Sequence, residues 1–357
     1  MSKSLLSNEH NEIGDSLAWQ TSSRGSRNSN MGNSALSVII PNYNHGHYIA
    51  KALEAILSQS FRPLEVIVVD DDSGDDSVEV IEKYAELNPA VQLLRNDRNM
   101  GVVFSVSWGL EHASGDYVYL AAADDRIFPK FFERSMNLLL QYPQAAICCS
   151  DYATFEDDTS IVREHRFCWS DEPCYFSPDE FTDVIKIHGG FLPAVSSIVK
   201  RSLVSEISDS LSELKWHSDW FANFVIALRH GVCYVPEIQA ALRVRSASYS
   251  ASGVRQKQQQ YQLYKYMLDL LHSPDYADLF DAFRRSGLWP IYNFRALCAL
   301  VEEPRYWNYL SVTLVKRMLW NGMRGTLVRV LPSFVKKFYR RLHRANRNFL
   351  VTDDIST

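Results

Sequence analysis

The stretch VIVVDDDSGDDS, residues 66–77, places five aspartates directly after an apolar run. The run is short, rich in β-branched residues and followed by a turn signal, which predicts a buried strand over residues 64–70. Because charged side chains are costly to bury, the aspartates must begin where this strand leaves the core. So much negative charge at the end of a core strand indicates either a functional loop or a solvated turn.

Apolar strand patterns and amphipathic helix patterns alternate on both sides of this stretch. The alternation predicts an α/β fold in which a mostly parallel, Rossmann-like sheet is flanked by helices. The predicted strands cover residues 36–41, 64–70, 91–94, 116–125, 145–152 and 232–237, and the predicted helices lie in 47–60, 78–85, 101–113 and 131–143.

Polar segments follow three of the predicted strands. PNYN, residues 41–44, follows the first strand, Asp70–Asp72 follow the second, and Asp124 and Asp125 follow the fourth. Ligands of such sheets bind beyond the carboxyl ends of the strands, so we expect these segments to converge on one crevice. Clustered carboxylates need a cation among them, and oxygen ligands suit Mg²⁺ or Mn²⁺. The pattern therefore favours a diphosphate site with a divalent cation.

The same acidic residues also have a purely structural interpretation. An acidic loop after a strand is often only solvated, and Asp75, Asp76 and Ser77 fit a turn followed by a helix N-cap. Two acidic clusters at corresponding strand ends favour the functional interpretation for Asp71 and Asp124.

The composition is that of an ordinary globular protein. The 357 residues are 46% hydrophobic and 22% charged, and the net charge of −5 argues against a dedicated nucleic-acid binder. Cys148 and Cys149 lie in the apolar run AAICC, where buried free thiols are expected. We see no secretory signal peptide and no run of 18 apolar residues, so a cytoplasmic protein without a transmembrane helix is predicted.

Three regions are predicted along the chain. Residues 1–34 form a disordered extension rich in Ser, Asn and Gly, residues 35–254 the α/β domain, and residues 255–357 a helical, basic C-terminal region. Residues 305–352 contain no Asp or Glu. An amphipathic basic segment over 312–350 predicts peripheral contact with an anionic membrane, and the alternative is an appendage that packs on the domain with solvated cations.

Four motifs, in this order, resemble the family 2 glycosyltransferases with the GT-A fold. They are VIIPNYN, YIAKALEAILSQS, LEVIVVDDDSGDDS and NMGVVFSVSWGLEHASGDYVYLAAADD, and the likeness extends from about Leu36 to Tyr249. The resemblance implies a GT-A domain over 35–254 that transfers a sugar, with inversion, from a nucleotide-diphosphate sugar to an acceptor hydroxyl. It also implies a UDP-sugar donor, Mg²⁺ or Mn²⁺, and a glycan or lipid-linked acceptor, as in cell-surface polysaccharide or glycolipid synthesis.

The resemblance assigns roles at the donor site. Asp71 would face the edge of a uracil-type base, and Asp124 and Asp125 would contact the ribose and the metal. Apart from the resemblance, the loop after the last predicted strand offers Arg243, Arg245 or Ser248 to the diphosphate, since a guanidinium matches phosphate geometry; solvated loop cations are the alternative. One departure is Ala122, which stands where the first acid of the family's acidic motif is common. The segment that would wrap the nucleobase and ribose comprises Pro41, Asn42, Tyr43 and Asn44.

The resemblance also implies a general base at the start of a later helix. Asp219 in KWHSDWFANFVIALRHG matches that position, and a carboxylate there would take the proton of the acceptor hydroxyl. His217 is an alternative base. A first-turn acid favoured by the helix dipole is the structural alternative for Asp219.

Two other functions compete with a transferase. A degenerate protein that binds the nucleotide sugar without turnover is supported by Ala122. A receiver-type signalling domain also has an acidic pocket after a strand, but its acids should follow the first strand. Here a complete strand–helix unit with PNYN comes before them.

Overall fold

One ten-stranded sheet organises the fold, as seen in a computed structural model that describes residues 34–156, 162–204, 212–245, 248–290, 292 and 294–320. Of the predicted N-terminal extension, residues 1–33 lie outside these ranges. The strands are β1 Leu36–Asn42, β2 Glu65–Asp70, β3 Val91–Arg95, β4 Tyr117–Leu120, β5 Arg126–Ile127, β6 Ile147–Phe155, β7 Val162–His165, β8 Cys174–Phe176, β9 Ser197–Lys200 and β10 Val232–Arg243.

The strand order is β3-β2-β1-β4-β9-β6-β10-β5, with β7 on β6 and β8 on β10. Strands β1 to β4 pair in parallel, as do β6 and β10, and β9 lies antiparallel between β4 and β6. Strands β1–β4, β6 and β10 therefore all point the same way. Their carboxyl ends share one edge of the sheet, where ligands of such sheets bind.

Helices cover both faces of the sheet, which confirms the predicted α/β fold. The α-helices are α1 Gly46–Leu57, α2 Ser77–Leu87, α3 Val102–His112, α4 Phe131–Gln141, α5 Pro178–His188, α6 Ser218–His230, α7 Tyr249–Arg255, α8 Lys257–His272, α9 Phe280–Ser286 and α10 Phe294–Glu302. Short 3₁₀ helices cover Ala194–Ser196, Ser212–His217, Pro274–Leu279 and Pro304–Tyr309.

Period-2 alternation along the central strands divides the core in two. Val38 and Ile40 of β1 face α1, α2 and α4, whereas Ile39 between them faces α3 and the later helices. The predicted stripe of α1 supplies Ile49 and Leu53 to the first core. The buried state expected of Cys148 and Cys149 is also confirmed.

Two strand lengths differ from the sequence prediction. The fourth strand was expected over 116–125, but β4 ends at Leu120 and residues 121–125 leave the sheet in a turn closed by Asp125 N–H on the Ala122 carbonyl. The last strand was expected to end at Glu237, but β10 continues to Arg243. Irregular pairing with β6 between Val235 and Ala240 accommodates Pro236, which cannot donate to the ladder.

The helices after residue 255, the predicted C-terminal appendage, pack into the second core. Tyr264 and Leu268 of α8, Trp289 and Met318 are buried in the same apolar cluster as Phe221 of α6. Among the described helices, none is both long and apolar enough to cross a membrane. Most of the segment predicted to contact membranes, residues 321–350, lies outside the described residues.

Arg317 shows that not every cation of this C-terminal region is solvated. Its side chain is buried, and its guanidinium donates to the carbonyls of Ser286 and Ile185 at 2.7 and 2.5 Å. These carbonyls belong to the last turns of α9 and α5, and that of Ile185 also accepts from the Gly189 N–H at 2.8 Å. One cation thus caps two helix C-termini, where positive charge is favourable.

Replacing Arg317 with Met should therefore destabilise the protein, because the buried carbonyls lose a charged donor. We expect a loss of about 2–3 kcal/mol in the free energy of unfolding, measured by urea denaturation. Lys316→Met is the matched control, since Lys316 is exposed. Equal effects of the two substitutions would contradict the capping role.

Candidate functional site

The loop after β1 is joined to the acidic loop after β2. The Asn42 amide donates to Asp70 Oδ1 at 2.8 Å, and the backbone N–H of Gly74 donates to Asn44 Oδ1 at 2.8 Å. Ser73 Oγ accepts from the Asn44 N–H at 2.9 Å. The ends of neighbouring parallel strands are thereby held in one arrangement, as the strand-end argument predicted.

Asp75 holds two helix N-termini together. One carboxylate oxygen accepts from the Gly46 N–H at the start of α1, at 2.9 Å, and the other accepts from the N–H and hydroxyl of Ser77 at the start of α2. Burial works against the charge, but these bonds outweigh it and lower the pKa of Asp75. The sequence predicted a turn followed by a helix N-cap over Asp75, Asp76 and Ser77. In the structure the Asp75 carboxylate is the group that accepts from the N–H at the start of α2.

Asp71 is buried and fully engaged with the protein. Its carboxylate accepts from the N–H groups of Met100 and Gly101, at 2.7 and 2.8 Å, and from the Asn96 amide at 2.6 Å. Gly101 is the N-cap residue of α3, so Asp71 fixes where this helix starts. The predicted contact between Asp71 and a nucleobase stays a prediction.

Arginines meet the second acidic segment. Arg245 Nη2 lies 2.5 Å from Asp124 Oδ2, and Arg243 Nε donates to the Asp124 carbonyl at 2.8 Å. The Arg243 N–H donates to Asp125 Oδ1 at 2.8 Å. The turn after β4 is therefore held to the end of β10 by both arginines.

Asp124 and Asp125 differ in environment. Burial raises the pKa of Asp125 to about 8; the bond from the Arg243 N–H opposes this shift and the neighbouring charge of Asp124 adds to it. Asp124, in contrast, has Arg245 directly beside it. Asp124 is therefore the acid of this segment whose carboxylate pairs with guanidinium groups.

His45 connects the two acidic segments through the loop after β1. Its backbone N–H donates to Ser77 Oγ at 3.2 Å, and its Nε2 lies 3.0 Å from Arg245 Nη2. A guanidinium only donates, so Nε2 is the acceptor and the imidazole is neutral. Burial lowers the pKa of His45, with Asp124 opposing the shift and Arg245 adding to it. A single loop, residues 42–46, thus lies between both acidic segments.

The remaining predicted donor-site residues lie on this loop. Tyr43 is 47% exposed, so its ring is accessible for stacking, and Pro41 is half-buried. Asn42 is buried, and its Oδ1 has no partner among the described residues. Asn44 has a left-handed φ of 54°, which lets the chain turn into α1.

The residues at this edge do not form a preformed metal site. Within the described ranges no three His, Cys, Asp or Glu side chains gather in a way that could hold a metal ion. Ala122 supplies no ligand, Asp124 is paired with Arg245, and one oxygen of Asp125 accepts from Arg243. A divalent cation at Asp124 would therefore share the carboxylate with the guanidinium of Arg245, which occupies Oδ2.

Asp219 lies in the first turn of α6, as predicted. Its side chain is exposed, yet the surrounding protein raises the pKa of its carboxyl by desolvation, against the N–H groups of Trp220 and Ala194. Ala194 comes shortly before β9, in which Ile198 pairs with Tyr119 near the end of β4. Asp219 therefore lies at the same edge of the sheet as Asp124. Its side chain is exposed to solvent and is also partly desolvated by the protein groups around it.

His217, the alternative base, has a structural environment. It is buried, its Nε2 lies 2.6 Å from Gln260 Nε2, and burial lowers its pKa to about 4. Since an amide nitrogen donates, His217 is a neutral acceptor toward α8. A buried His217 that is engaged with Gln260 is less accessible to an acceptor hydroxyl than the exposed Asp219 is.

Three neighbours of the site were not recognised as such in the sequence. His45 follows PNYN directly, and a polar side chain at a strand-end loop was the only signal available for it. Tyr48 falls in the predicted helix over residues 47–60, where nothing indicated a role at the site, yet the centre of its ring lies 4.4 Å from the guanidinium carbon of Arg243 and 5.5 Å from that of Arg245. Asn96 donates to Asp71, and no feature of the sequence indicated this contact.

Cavity shape alone does not locate this site. A cavity of about 680 Å³ lies between the Ser212–His217 helix and α8, lined by Glu213, Lys215, Leu263, Tyr266 and a run of polar residues from Gln256 to Gln262. None of the predicted site residues lines it. The site is identified by convergent side chains at the sheet edge.

Comparison with known proteins gives a family match and a fold match. Residues 37–208 match the model of Glycosyl transferase family 2. The uncharacterized glycosyltransferase YibD of Escherichia coli (strain K12) is 40% identical over 106 residues, which are 30% of each chain. The minor teichoic acid biosynthesis protein GgaB of Bacillus subtilis (strain 168) is 34% identical over 103 residues, 28% of this chain and 11% of GgaB. The chain thus spans less than a third of either relative.

Among solved structures, S. aureus TarS 1–349 in complex with UDP-GlcNAc matches with a TM-score of 0.56. The identity is 15%, and the match covers 84% of this chain and 82% of that chain. Such low identity bears on the fold alone. The predicted GT-A fold is confirmed.

The role of Asp75 is testable through stability. Asp75→Ala should lower the free energy of unfolding by about 1–2 kcal/mol at neutral pH, because N–H groups of α1 and α2 lose a charged acceptor. Asp76→Ala is the control, since Asp76 is exposed and makes no capping bond with its side chain.

The effect should also depend on pH. The pKa of Asp75 is lowered in the folded protein from its ordinary value of 3.8, so its stabilisation is present above that value and is lost as the pH falls through the folded pKa. Urea midpoints of wild type and Asp75→Ala should converge below about pH 4. A difference that stays constant from pH 7 to pH 3 would contradict the assignment.

Proposed function

We propose that this chain, which carries a family 2 glycosyltransferase domain over residues 37–208, transfers a sugar with inversion from a nucleotide-diphosphate sugar to an acceptor hydroxyl. A UDP-sugar is the expected donor. The observation that carries the proposal is the loop 42–46, which hydrogen-bonds to the acidic segment after β2 on one side and to Arg245 beside Asp124 on the other.

Asp219 is the proposed general base. The acceptor oxygen attacks the anomeric carbon, Asp219 takes the hydroxyl proton, and the bond from that carbon to the diphosphate oxygen breaks. A single displacement of this kind inverts the configuration. Two properties of Asp219 support this role. A carboxylate with a raised pKa accepts a proton more readily, and an exposed carboxylate can be reached by the acceptor hydroxyl.

The donor loop is the proposed place of the nucleoside. The exposed Tyr43 ring is available to stack on the base, and Pro41, Asn42 and Asn44 would enclose base and ribose together with Asp71. Asp124 and Arg245 would then meet the ribose and the diphosphate. Because TarS was solved with UDP-GlcNAc, that nucleotide sugar is the first donor to test.

The sequence predicts Mg²⁺ or Mn²⁺ on Asp124 and Asp125. Among the described residues these acids do not gather with a third ligand into a metal site, so the proposed displacement is written without a metal ion. A metal titration of activity decides the matter.

The acceptor is proposed to be a glycan or a lipid-linked glycan of cell-surface polysaccharide synthesis. The likeness to a teichoic acid biosynthesis protein supports this class. Peripheral membrane contact of a cytoplasmic protein is part of the same proposal. In the described part of the segment, Val312, Leu319 and Trp320 are exposed, which is the pattern that such contact requires.

A second candidate is a protein that binds nucleotide sugar without turnover. Ala122 in place of the first acid is the observation that favours it. A receiver-type signalling domain has no such support, since the acidic loop follows β2 and the domain matches a transferase family.

A thermal-shift panel of UDP-GlcNAc, a GDP-sugar and a dTDP-sugar tests donor binding. A ligand at about a hundred times its dissociation constant stabilises the folded state by about 2.7 kcal/mol, which is readily measured. No shift with any of these donors would count against both candidates.

Turnover separates the two candidates. Asp219→Asn should reduce transfer or donor hydrolysis by about 10²- to 10⁴-fold while donor binding is unchanged, because only the proton acceptor is lost. Asp183→Asn, an exposed acid on α5, is the matched control. Product is measured by mass spectrometry, and an Asp219→Asn enzyme as active as wild type would refute the assignment.

A further inference from the structure

The turn after β4 is already neutralised by two arginines of the chain itself. Arg245 pairs directly with the Asp124 carboxylate, and Arg243 Nε lies 4.0 Å from the same carboxylate. The Asp124 carboxylate thus faces two guanidinium groups from the end of β10 and the residues that follow it. The cation that clustered carboxylates require is provided by the protein.

The two arginines differ in exposure, and this separates their roles. The Arg243 side chain is 7% exposed and binds the Asp124 carbonyl, so it positions the turn. The Arg245 side chain is 33% exposed. Of this pair, Arg245 is the one that a ligand in the crevice can reach.

Arg245 is held in place on three sides. Its guanidinium carbon lies 5.5 Å from the centre of the Tyr48 ring, and Nη2 contacts both Asp124 and His45. A neutral imidazole acceptor, a carboxylate and an aromatic face are all favourable partners for a guanidinium. The head group is therefore preorganised rather than free to follow a ligand, which reduces the entropy lost on binding.

Donor groups of Arg245 remain for a ligand. Both polar contacts use Nη2, and no other described residue bonds to Nη1 or Nε. A guanidinium presents five N–H donors in a planar fork that matches phosphate oxygens. Arg245 can thus keep its bond to Asp124 and donate to a diphosphate at the same time.

From this geometry we infer that Arg245, positioned by Asp124, His45 and Tyr48, is the cation that binds the donor diphosphate, and that a divalent metal ion is not required. This inference rests on the proposed function and names the diphosphate-binding group of its site. It agrees with the donor set: Ala122 supplies no acid, and Oδ2 of Asp124 is taken by the guanidinium of Arg245.

The test is binding of UDP, with GDP and dTDP in parallel, to the full chain by titration calorimetry in EDTA and in Mn²⁺. We expect the dissociation constant of the nucleotide that binds to differ by less than about twofold between the two conditions. Arg245→Ala should weaken that binding by about 10- to 100-fold in EDTA, since a charge-assisted contact is lost.

Two further variants make the test specific. Arg134→Ala removes a guanidinium that pairs with Glu237 outside the site, so it controls for net charge and should bind as wild type does. Arg245→Lys keeps the charge without the planar fork and should bind with intermediate affinity. If Arg245→Ala fails to fold, as judged by its unliganded melting curve, Arg245→Lys replaces it.

The outcomes are distinct. Binding in Mn²⁺ that disappears in EDTA overturns the inference but leaves the proposed function standing. Binding in both conditions that Arg245→Ala or its replacement leaves unchanged overturns it as well. No binding of any of the three nucleotides in either condition is a failure of the proposed function itself. Equal binding in both conditions with a selective loss in the Arg245 variants supports the inference.

Discussion

Neutralisation of carboxylates at the strand ends is the constraint on which the site depends. A carboxylate that leaves a core strand is partly desolvated, so it must find donors or lose its charge. Asp71 finds them at the start of α3, and Asp75 finds them at the starts of α1 and α2. Each bond fixes the entry of a helix relative to the sheet, so the acids that cost energy to bury also determine the geometry of the crevice.

The two acidic segments satisfy this constraint with different donors, and this separates their chemistry. After β2 the donors are mostly backbone N–H groups and neutral side chains, which cannot move independently of the fold. After β4 the donor to Asp124 is the guanidinium of Arg245, a third of which is exposed. Among the described ion pairs of these two segments, those with Asp124 bring a partly exposed cation beside an acid. This difference is why the proposed diphosphate contact is placed near Asp124 and not near Asp71, both of whose oxygens accept bonds from the protein.

Local patterns predicted the fold well, and long-range contacts limited the prediction of the site. The β-branched runs of β1 and β2 and the stripe of α1 gave their positions to within a few residues, because periodicity reflects burial directly. The end of β4 was misplaced since Ala121–Ala123 continue an apolar pattern while the backbone already turns. The convergence of Asp71 and Asp124 on one sheet edge followed from topology. The groups that bond to these two acids could not be predicted in the same way, because Gly101 and Arg245 lie about 30 and 120 residues further along the chain.

The C-terminal helices support the segment that carries Asp219, the proposed base. Gln260 of α8 bonds to both Trp216 and His217, at 2.9 and 2.6 Å, immediately before the helix that carries Asp219. A Cβ on Gly253 would lie 2.2 Å from the Trp216 ring, so α7 packs against the same segment. The predicted boundary after residue 254 stays a prediction. The two Gln260 contacts cross it, so the position of Asp219, which itself lies beyond the family match, depends on the C-terminal region.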